Sequence, residues 1–273
     1  LQNVQMMRLA REYGVRLNWQ HLYGFPGETF EEYAGIPDSV PSLHHLEAPS
    51  SEETAKVSVQ RYSPYFTHPE TFGIAAVRPA RPYAEVYDVP AGSLERIAYR
   101  FDYDLAPGVP DPSAAVRRVV TPALEAWRRR DALGADLALF VGHGRSLVLD
   151  TRLEEPRLWL VEGAADRALP LCAEVRGRDK VIEALCGGRP VSGPPELAPS
   201  VPDDLLDEAL ERFASAGLPA VPLTDRDDDP AATLEALQAA GLVLVEGKSC
   251  LSLAIPRPRG VLEALLERLG AAA

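Results

Sequence analysis

The sequence predicts an α/β fold, and three features carry that prediction. Between Asn3 and Glu32 the order is helix, strand, Gly/Pro turn, helix, which is one unit of such a fold. Apolar runs of strand length recur at 137–149 and 242–255. Between and around them lie helical stripes at 114–130, 202–216, 231–240 and 261–269.

Taken in order, Asn3-Val4-Gln5-Met6-Met7-Arg8-Leu9-Ala10 begins an amphipathic helix that Gly14 stops in the left-handed conformation. Val15, Leu17, Trp19, His21 and Tyr23 alternate with polar residues and share one face of a strand. The turn Gly24-Phe25-Pro26-Gly27-Glu28 follows, then Thr29 and Glu32 at capping-box spacing. Pro37 and Pro41 break the next helix, and Val57–Tyr62 alternates as a second strand. Residues 67–92, rich in proline and aromatics without a period, read as an ordered connector. Leu137–Val141 and Leu147–Leu149 flank Gly142-His143-Gly144 as a β-hairpin, with His143 suited to a positive φ. Trp159-Leu160-Val161 adds a strand. After the Gly/Pro/Ser-rich stretch 187–201, two helices, the hairpin Leu242–Val245 with Leu251–Ile255 and a last helix give a winged-helix-like order.

Composition narrows the function classes. A net charge of −12 argues against binding to nucleic acid or an anionic membrane. No apolar stretch reaches the roughly 20 residues that span a bilayer, and no signal peptide opens the chain, so a cytoplasmic protein is expected. Leu1 stands where a methionine would begin a gene, and the chain is expected to continue a longer protein. Cys172, Cys186 and Cys250 are odd in number and 14 and 64 positions apart, which fits neither a disulfide framework nor a metal or iron–sulfur site. All three have apolar neighbours and read as buried packing residues. His44-His45 reads as loop polarity, and Asp225 with Asp227-Asp228-Asp229 as a solvated loop leading into a helix cap.

The segment 23–29 is the one that suggests chemistry. Ligands of α/β folds sit where a strand's C-terminal end meets the next helix. Gly24 and Gly27 let backbone approach a ligand, and the first N–H groups of that helix are donors. Val15 to Thr29, with its Gly24-Phe25-Pro26-Gly27-Glu28-Thr29 string, resembles the fifth strand and turn of the radical S-adenosylmethionine (SAM) barrel, in particular its cobalamin-dependent branch. Leu43-His44-His45-Leu46-Glu47-Ala48-Pro49, Arg61-Tyr62-Ser63-Pro64-Tyr65-Phe66, Phe72-Gly73 and Arg78-Pro79 extend the likeness to the radical SAM maturases of ribosomally made peptides, over residues 1–105.

That resemblance implies the last two strands of a partial (β/α)6 barrel, followed by an α+β region that ends in the winged-helix-like module. Domain limits follow: 1–80 for the barrel end, 81–110 for a connector, 111–186 for an α+β region, 187–201 for a linker and 202–273 for the module. Gly24, Phe25, Pro26 and Gly27 are then expected to line SAM. Arg61 is expected to pair with a carboxylate of cofactor or peptide, or with a barrel acid. Glu28 serves either the cofactor or the helix N-terminus. SAM, a [4Fe–4S] cluster and cobalamin are the implied cofactors, a precursor peptide the substrate, and C-methylation the reaction. The cluster-binding CxxxCxxC motif is not in this chain. The N-terminal cobalamin- and cluster-binding portion of the same protein is therefore an implied partner, and the chain alone is expected to be inactive. Two rival readings remain: a peptide- or partner-binding module without catalysis, and a radical SAM enzyme acting on a small molecule.

Overall fold

Leu137–Val141 is buried at four successive positions, where a strand with one solvated face would alternate. Such a run demands cover on both faces, and the tertiary structure supplies it. The computed structural model describes residues 1–50, 55–187, 200–223 and 229–272. In chain order the helices are α1 (Gln2–Glu12), α2 (Ile36–Ser39), α3 (Pro64–Thr67), α4 (Pro82–Val86), α5 (Ala91–Ile97), α6 (Ser113–Ala132), α7 (Gly163–Leu171), α8 (Arg178–Cys186), α9 (Asp203–Ser215), α10 (Pro230–Ala239) and α11 (Arg259–Ala272). The strands are β1 (Leu22–Tyr23), β2 (Ala55–Lys56), β3 (Val59–Gln60), β4 (Ile74–Pro79), β5 (Arg100–Leu105), β6 (Leu137–Val141), β7 (Arg145–Asp150), β8 (Arg157–Glu162), β9 (Arg176–Gly177), β10 (Ala220–Leu223), β11 (Val243–Glu246), β12 (Ser249–Ser252) and β13 (Ile255–Pro256). The fold is mixed α/β with several sheets, and among the described residues no barrel closes. No described helix is long and apolar enough to cross a membrane.

The chain divides into two compact units, one of Leu1–Leu17, Pro41–Ala48 and Trp127–Ala273, the other of Asn18–Val40 and Pro49–Ala126. The limits expected at 80, 110, 186 and 201 coincide with none of these. Of the expected linker, residues 188–199 lie outside the described residues.

In the larger unit a five-stranded sheet runs in the order β10–β8–β7–β6–β13. The antiparallel meander β6–β7–β8 is the hairpin and added strand read from the sequence, with Leu139 opposite Val148 and Val148 opposite Trp159. Its two outer strands come from far along the chain: β10 pairs parallel with β8, and β13 parallel with β6. Leu137, Leu139 and Val148 face one core with Ala165, Leu169, Val181, Leu234 and Leu237 of α7, α8 and α10. Ala138, Phe140, Leu147 and Leu149 face the other, with Leu206, Phe213, Leu262 and Leu266 of α9 and α11. The period of two sends alternate residues of each strand to opposite cores. Residues 202–273 are thus not a separate module. They flank and cover the sheet that begins at Leu137.

The helices expected after residue 201 are present as α9, α10 and α11, and the expected hairpin lies between the last two. β11 and β12 pair as a hairpin, and β12 also pairs with β9, giving the order β11–β12–β9. The strand expected over Leu251–Ile255 splits, because Ile255 leaves for β13 beside Ala138. In the β6–β7 turn the positive φ belongs to Gly144, at 78°, and not to His143. α6 runs through Pro122 without ending there. Asp229 caps α10 by accepting from the N–H groups of Ala231 and Ala232, while Asp225, Asp227 and Asp228 lie outside the described residues.

His44 and His45 are not loop polarity: both are buried, and each ring bonds a backbone carbonyl, of Arg152 and Leu253 respectively. Burial first, and then the charges of Arg152, Arg11 and Arg257, hold the His45 pKa well below its ordinary value. Burial lowers His44 as well. A histidine kept neutral in the fold contributes no pH dependence above the ordinary value near 6.5, where the unfolded chain is neutral too. As pH falls through that value the unfolded state takes the proton first, and stability declines. Urea unfolding is expected to lose up to about 1.4 kcal/mol per pH unit below that point for each such histidine. A His45→Gln variant whose stability falls just as steeply between pH 7.5 and 5.5 would contradict the assignment to His45.

In the smaller unit β1 and β2 form a two-stranded parallel sheet, Leu22 beside Ala55 and Tyr23 beside Lys56. β3–β5–β4 is an antiparallel sheet over a small core of Val59, Ile74, Ala98 and Phe101. The strand expected over 15–23 pairs only at its last two residues, since β2 offers a ladder only there. Alternation nevertheless survives as burial, with Trp19, His21 and Tyr23 less exposed than Asn18, Gln20 and Leu22. Of the second expected strand, Val57–Tyr62, only Val59–Gln60 is a strand, β3, and β2 just before it belongs to another sheet. Within the expected connector lie β4 and α4, so it is not featureless.

Candidate functional site

The turn 24–28 stands at the C-terminal end of β1, where the α/β rule puts ligands. Gly24 and Gly27 both have positive φ, 77° and 94°. At these values a Cβ is strained, so the sequence pattern and the backbone agree on glycine. Their surroundings differ. A Cβ on Gly24 would meet the Lys56 side chain at 3.4 Å, whereas nothing lies within 4 Å of one on Gly27. Gly24 is buried, Phe25 and Gly27 are exposed, and Pro26 is intermediate.

The Gly24, Phe25 and Glu28 N–H groups of this turn are already bonded within the unit. Tyr33 Oη accepts from the Gly24 N–H at 3.1 Å and donates to Glu28 Oε2. The same carboxylate oxygen accepts from the Phe25 N–H at 2.8 Å. Glu28 N–H bonds Phe25 O, and Thr29 N–H donates to Glu32 at 2.6 Å, the backward half of the expected capping box. After Thr29 the chain makes one 3-10 turn, Phe30–Glu32, rather than the expected α-helix. Glu28 therefore holds the turn, which is a structural role of the kind weighed from the sequence. Burial, and then the hydrogen bond to Glu28, push the Tyr33 pKa up to about 12. Tyr33→Phe would leave a buried N–H and one carboxylate bond unmade. A loss of about 1–3 kcal/mol is expected, measured by chemical denaturation, and an unchanged midpoint would dissociate Tyr33 from the turn.

A second set of side chains gathers around Gly24. Tyr103 Oη donates to Gly24 O at 3.1 Å, and Lys56 Nζ lies 5.1 Å from the Tyr103 ring centroid. Lys56 pairs with Asp111 at 3.3 Å, and Asp111 also accepts from the Ser113 N–H at the start of α6. Arg117, one turn on, donates to Tyr23 Oη at 3.4 Å. Burial opposes ionisation of Asp111, but the bonds from Ser113 and the Lys56 charge bring its pKa below the ordinary value. Burial, then Asp111, push Tyr103 up to about 12. Near neutral pH both raised phenols keep their protons, so they act as donors and not as bases. The cluster offers two cations, one carboxylate and phenolic donors, a set suited to holding a polar group.

Arg61 does not join it. Its Nε donates to Ala98 O at 2.7 Å, its Nη2 to Glu95 O, and its guanidinium lies 5.2 Å from the Phe101 ring centroid. Among the described residues no carboxylate pairs with it. With five donors and a flat face, it ties the C-terminal end of α5 to the β3–β5 sheet. Of the expected residues, then, the structure groups Gly24, Phe25, Pro26 and Gly27 but sets Arg61 apart.

Tyr33, Lys56, Tyr103, Asp111 and Arg117 were not found from the sequence. One signal was available: Arg100–Leu105 alternates strictly, with Phe101, Tyr103 and Leu105 on one side, and marks β5.

The cysteines do not fit an iron–sulfur cluster. Cys172 and Cys250 are buried in contact and Cys186 is exposed on α8, where burial was expected. Among the described residues no group of three or more His, Cys, Asp or Glu is placed to hold a metal. For SAM the open space at Gly27 fits an approaching ligand. Comparison with family models, curated proteins and solved structures finds no match to this chain.

Proposed function

We propose that this chain supplies the end of a radical SAM barrel and a substrate-recognition region to a cobalamin-dependent enzyme that C-methylates a ribosomally made peptide. One observation carries the reading. The GFPGET string, Gly24 to Thr29, sits at the C-terminal end of a strand that has a parallel neighbour, with two positive-φ glycines and open space at Gly27. Gly27, with Phe25 and Pro26 beside it, is the backbone that would border SAM. Cluster and cobalamin would be held by residues outside this sequence. SAM would supply a carbon-centred radical, and this chain's part is to position and enclose.

The full-length polypeptide, reconstituted anaerobically with iron, sulfide and methylcobalamin and given SAM, reductant and a precursor peptide, is expected to release 5′-deoxyadenosine and add one methyl group. A protein that holds its cluster yet releases none overturns the reading. Gly27→Val in that enzyme is expected to raise the KM for SAM about fivefold or more, because a branched residue at φ 94° is strained by about 1–3 kcal/mol. Unchanged KM and stability would detach the turn from the cofactor.

A binding role without catalysis is favoured by a separate feature. Among the described strands β11 pairs only with β12, so one edge of the wing is open for strand addition. Calorimetric titration of a candidate leader peptide into this chain tests it, and no heat or saturation would reject it.

A further inference from the structure

Cys172 and Cys250, 78 residues apart in sequence, bring their sulfurs to 3.6 Å inside the larger unit. Neither takes part in the turn, the polar cluster or the proposed chemistry. Cys172 closes α7, its N–H bonding Ala168 O at 3.0 Å. Its own carbonyl accepts from Ser252 N–H at 2.7 Å, two residues past Cys250 on β12. That bond clips the end of the helix to the strand and fixes how the two thiols approach. Cys250 sits on the middle strand of the wing, opposite Val245 on one side and Arg176 on the other. Both side chains are fully buried.

We infer that Cys172 and Cys250 form a reversible disulfide, a modification site of the larger unit. The sulfurs must close by about 1.5 Å to reach bonding distance, a movement of side chains already in contact. Oxidant would enter by opening β9, which flanks Cys250 and pairs with β12 over only two residues. The roles of the two thiols are unequal. The hydrogen bond from Cys172, and then the charges of Arg176 and Arg178, lower the Cys250 thiol. The same bond and burial raise Cys172. Cys250 Sγ also donates to Arg176 O at 3.4 Å, and Arg176 stands opposite it in the ladder, so Cys250 is assigned the attack once that proton leaves, with Cys172 resolving.

With hydrogen peroxide as the oxidant, the Cys250 thiolate attacks one oxygen, the O–O bond breaks, and hydroxide leaves. Cys250 becomes a sulfenic acid. The Cys172 sulfur then attacks the Cys250 sulfur; the S–OH bond breaks and the Cys172 proton departs with that oxygen as water. The first hydroxide takes up the proton that Cys250 had given up. Two thiols and one peroxide yield one disulfide and two waters. A dithiol reductant reverses it.

The test is peroxide titration of the purified chain, quenched by alkylation in denaturant and read by intact mass and peptide mapping. Free thiols are expected to fall from three to one, with the Cys172 and Cys250 peptides cross-linked and Cys186 alkylated. In Cys186→Ser they should fall from two to none, with the chain still monomeric by mass. Dithiothreitol should restore every thiol and reverse a rise in the thermal midpoint. In Cys172→Ser, Cys250 should be trapped by dimedone as the sulfenic acid. Two outcomes overturn the inference: both buried thiols still alkylated when Cys186 is fully oxidised, or every cross-link running through Cys186. The wild-type mapping stands even if a variant fails to fold.

Discussion

Removing residues 202–273 is expected to abolish cooperative folding of the larger unit. The truncation takes away β10 and β13, so both edges of the five-stranded sheet lose a parallel partner. It also takes α9 and α11 off one face, and α10, β11 and β12 off the other. Leu206, Phe213, Leu262 and Leu266 are almost completely buried against that first face. Burying each contributes about 1.5–3 kcal/mol, so these four together match the whole stability of an ordinary domain, about 5–15 kcal/mol. Phe140 and Leu147, deprived of cover, would face water. The measurement is urea unfolding of a chain ending at Val201, followed by near-ultraviolet circular dichroism. A sharp transition with native-like aromatic signal would show the sheet to be self-sufficient. The sequence suggested the opposite, a module set apart by a linker over 187–201.

Arg152→Ala is expected to cost about 3–5 kcal/mol of stability, because it breaks a buried ion pair from one side only. Arg152 is 4% exposed and its partner Asp150 6%. The guanidinium grips that carboxylate at two points, Nη2 to Oδ2 at 2.7 Å and Nε to Oδ1 at 2.9 Å. Its Nη1 also donates to Ser42 O and Gly241 O, at 2.9 and 3.0 Å. Alanine would strand a buried carboxylate and two carbonyls without bringing water to them. Removing Asp150 as well takes away the stranded charge, so the double variant Asp150→Ala/Arg152→Ala should lose less than the sum of the singles. Arg152→Lys should not rescue, because an ammonium lacks the planar fork. Chemical denaturation of these variants decides it. A loss below about 1 kcal/mol for Arg152→Ala would mean that water reaches Asp150.

The sequence by itself determined where the apolar strands and helices of the larger unit lie, and which turns need glycine. Leu137–Val141 and Leu147–Leu149 read as strands because every residue of a doubly covered strand is apolar, and α9, α10 and α11 read as helices from their stripes. Gly24 and Gly27 were legible too, since a positive φ selects glycine whatever surrounds it. Such signals are local, written within a few residues by side-chain period and backbone sterics. Which strands meet was not written there. Ala55–Lys56 and Val59–Gln60 are close in sequence and belong to two sheets; Cys250 lies beside Arg176, and its sulfur beside that of Cys172. Arg61 looked available for a carboxylate, and its donors went to two backbone carbonyls that only packing brought near. Tyr33, Lys56, Tyr103 and Asp111 became a cluster through contacts between residues up to 79 positions apart. An apolar period specifies that a face must be covered but not by what, and the choice of cover is made by the packing of the whole chain.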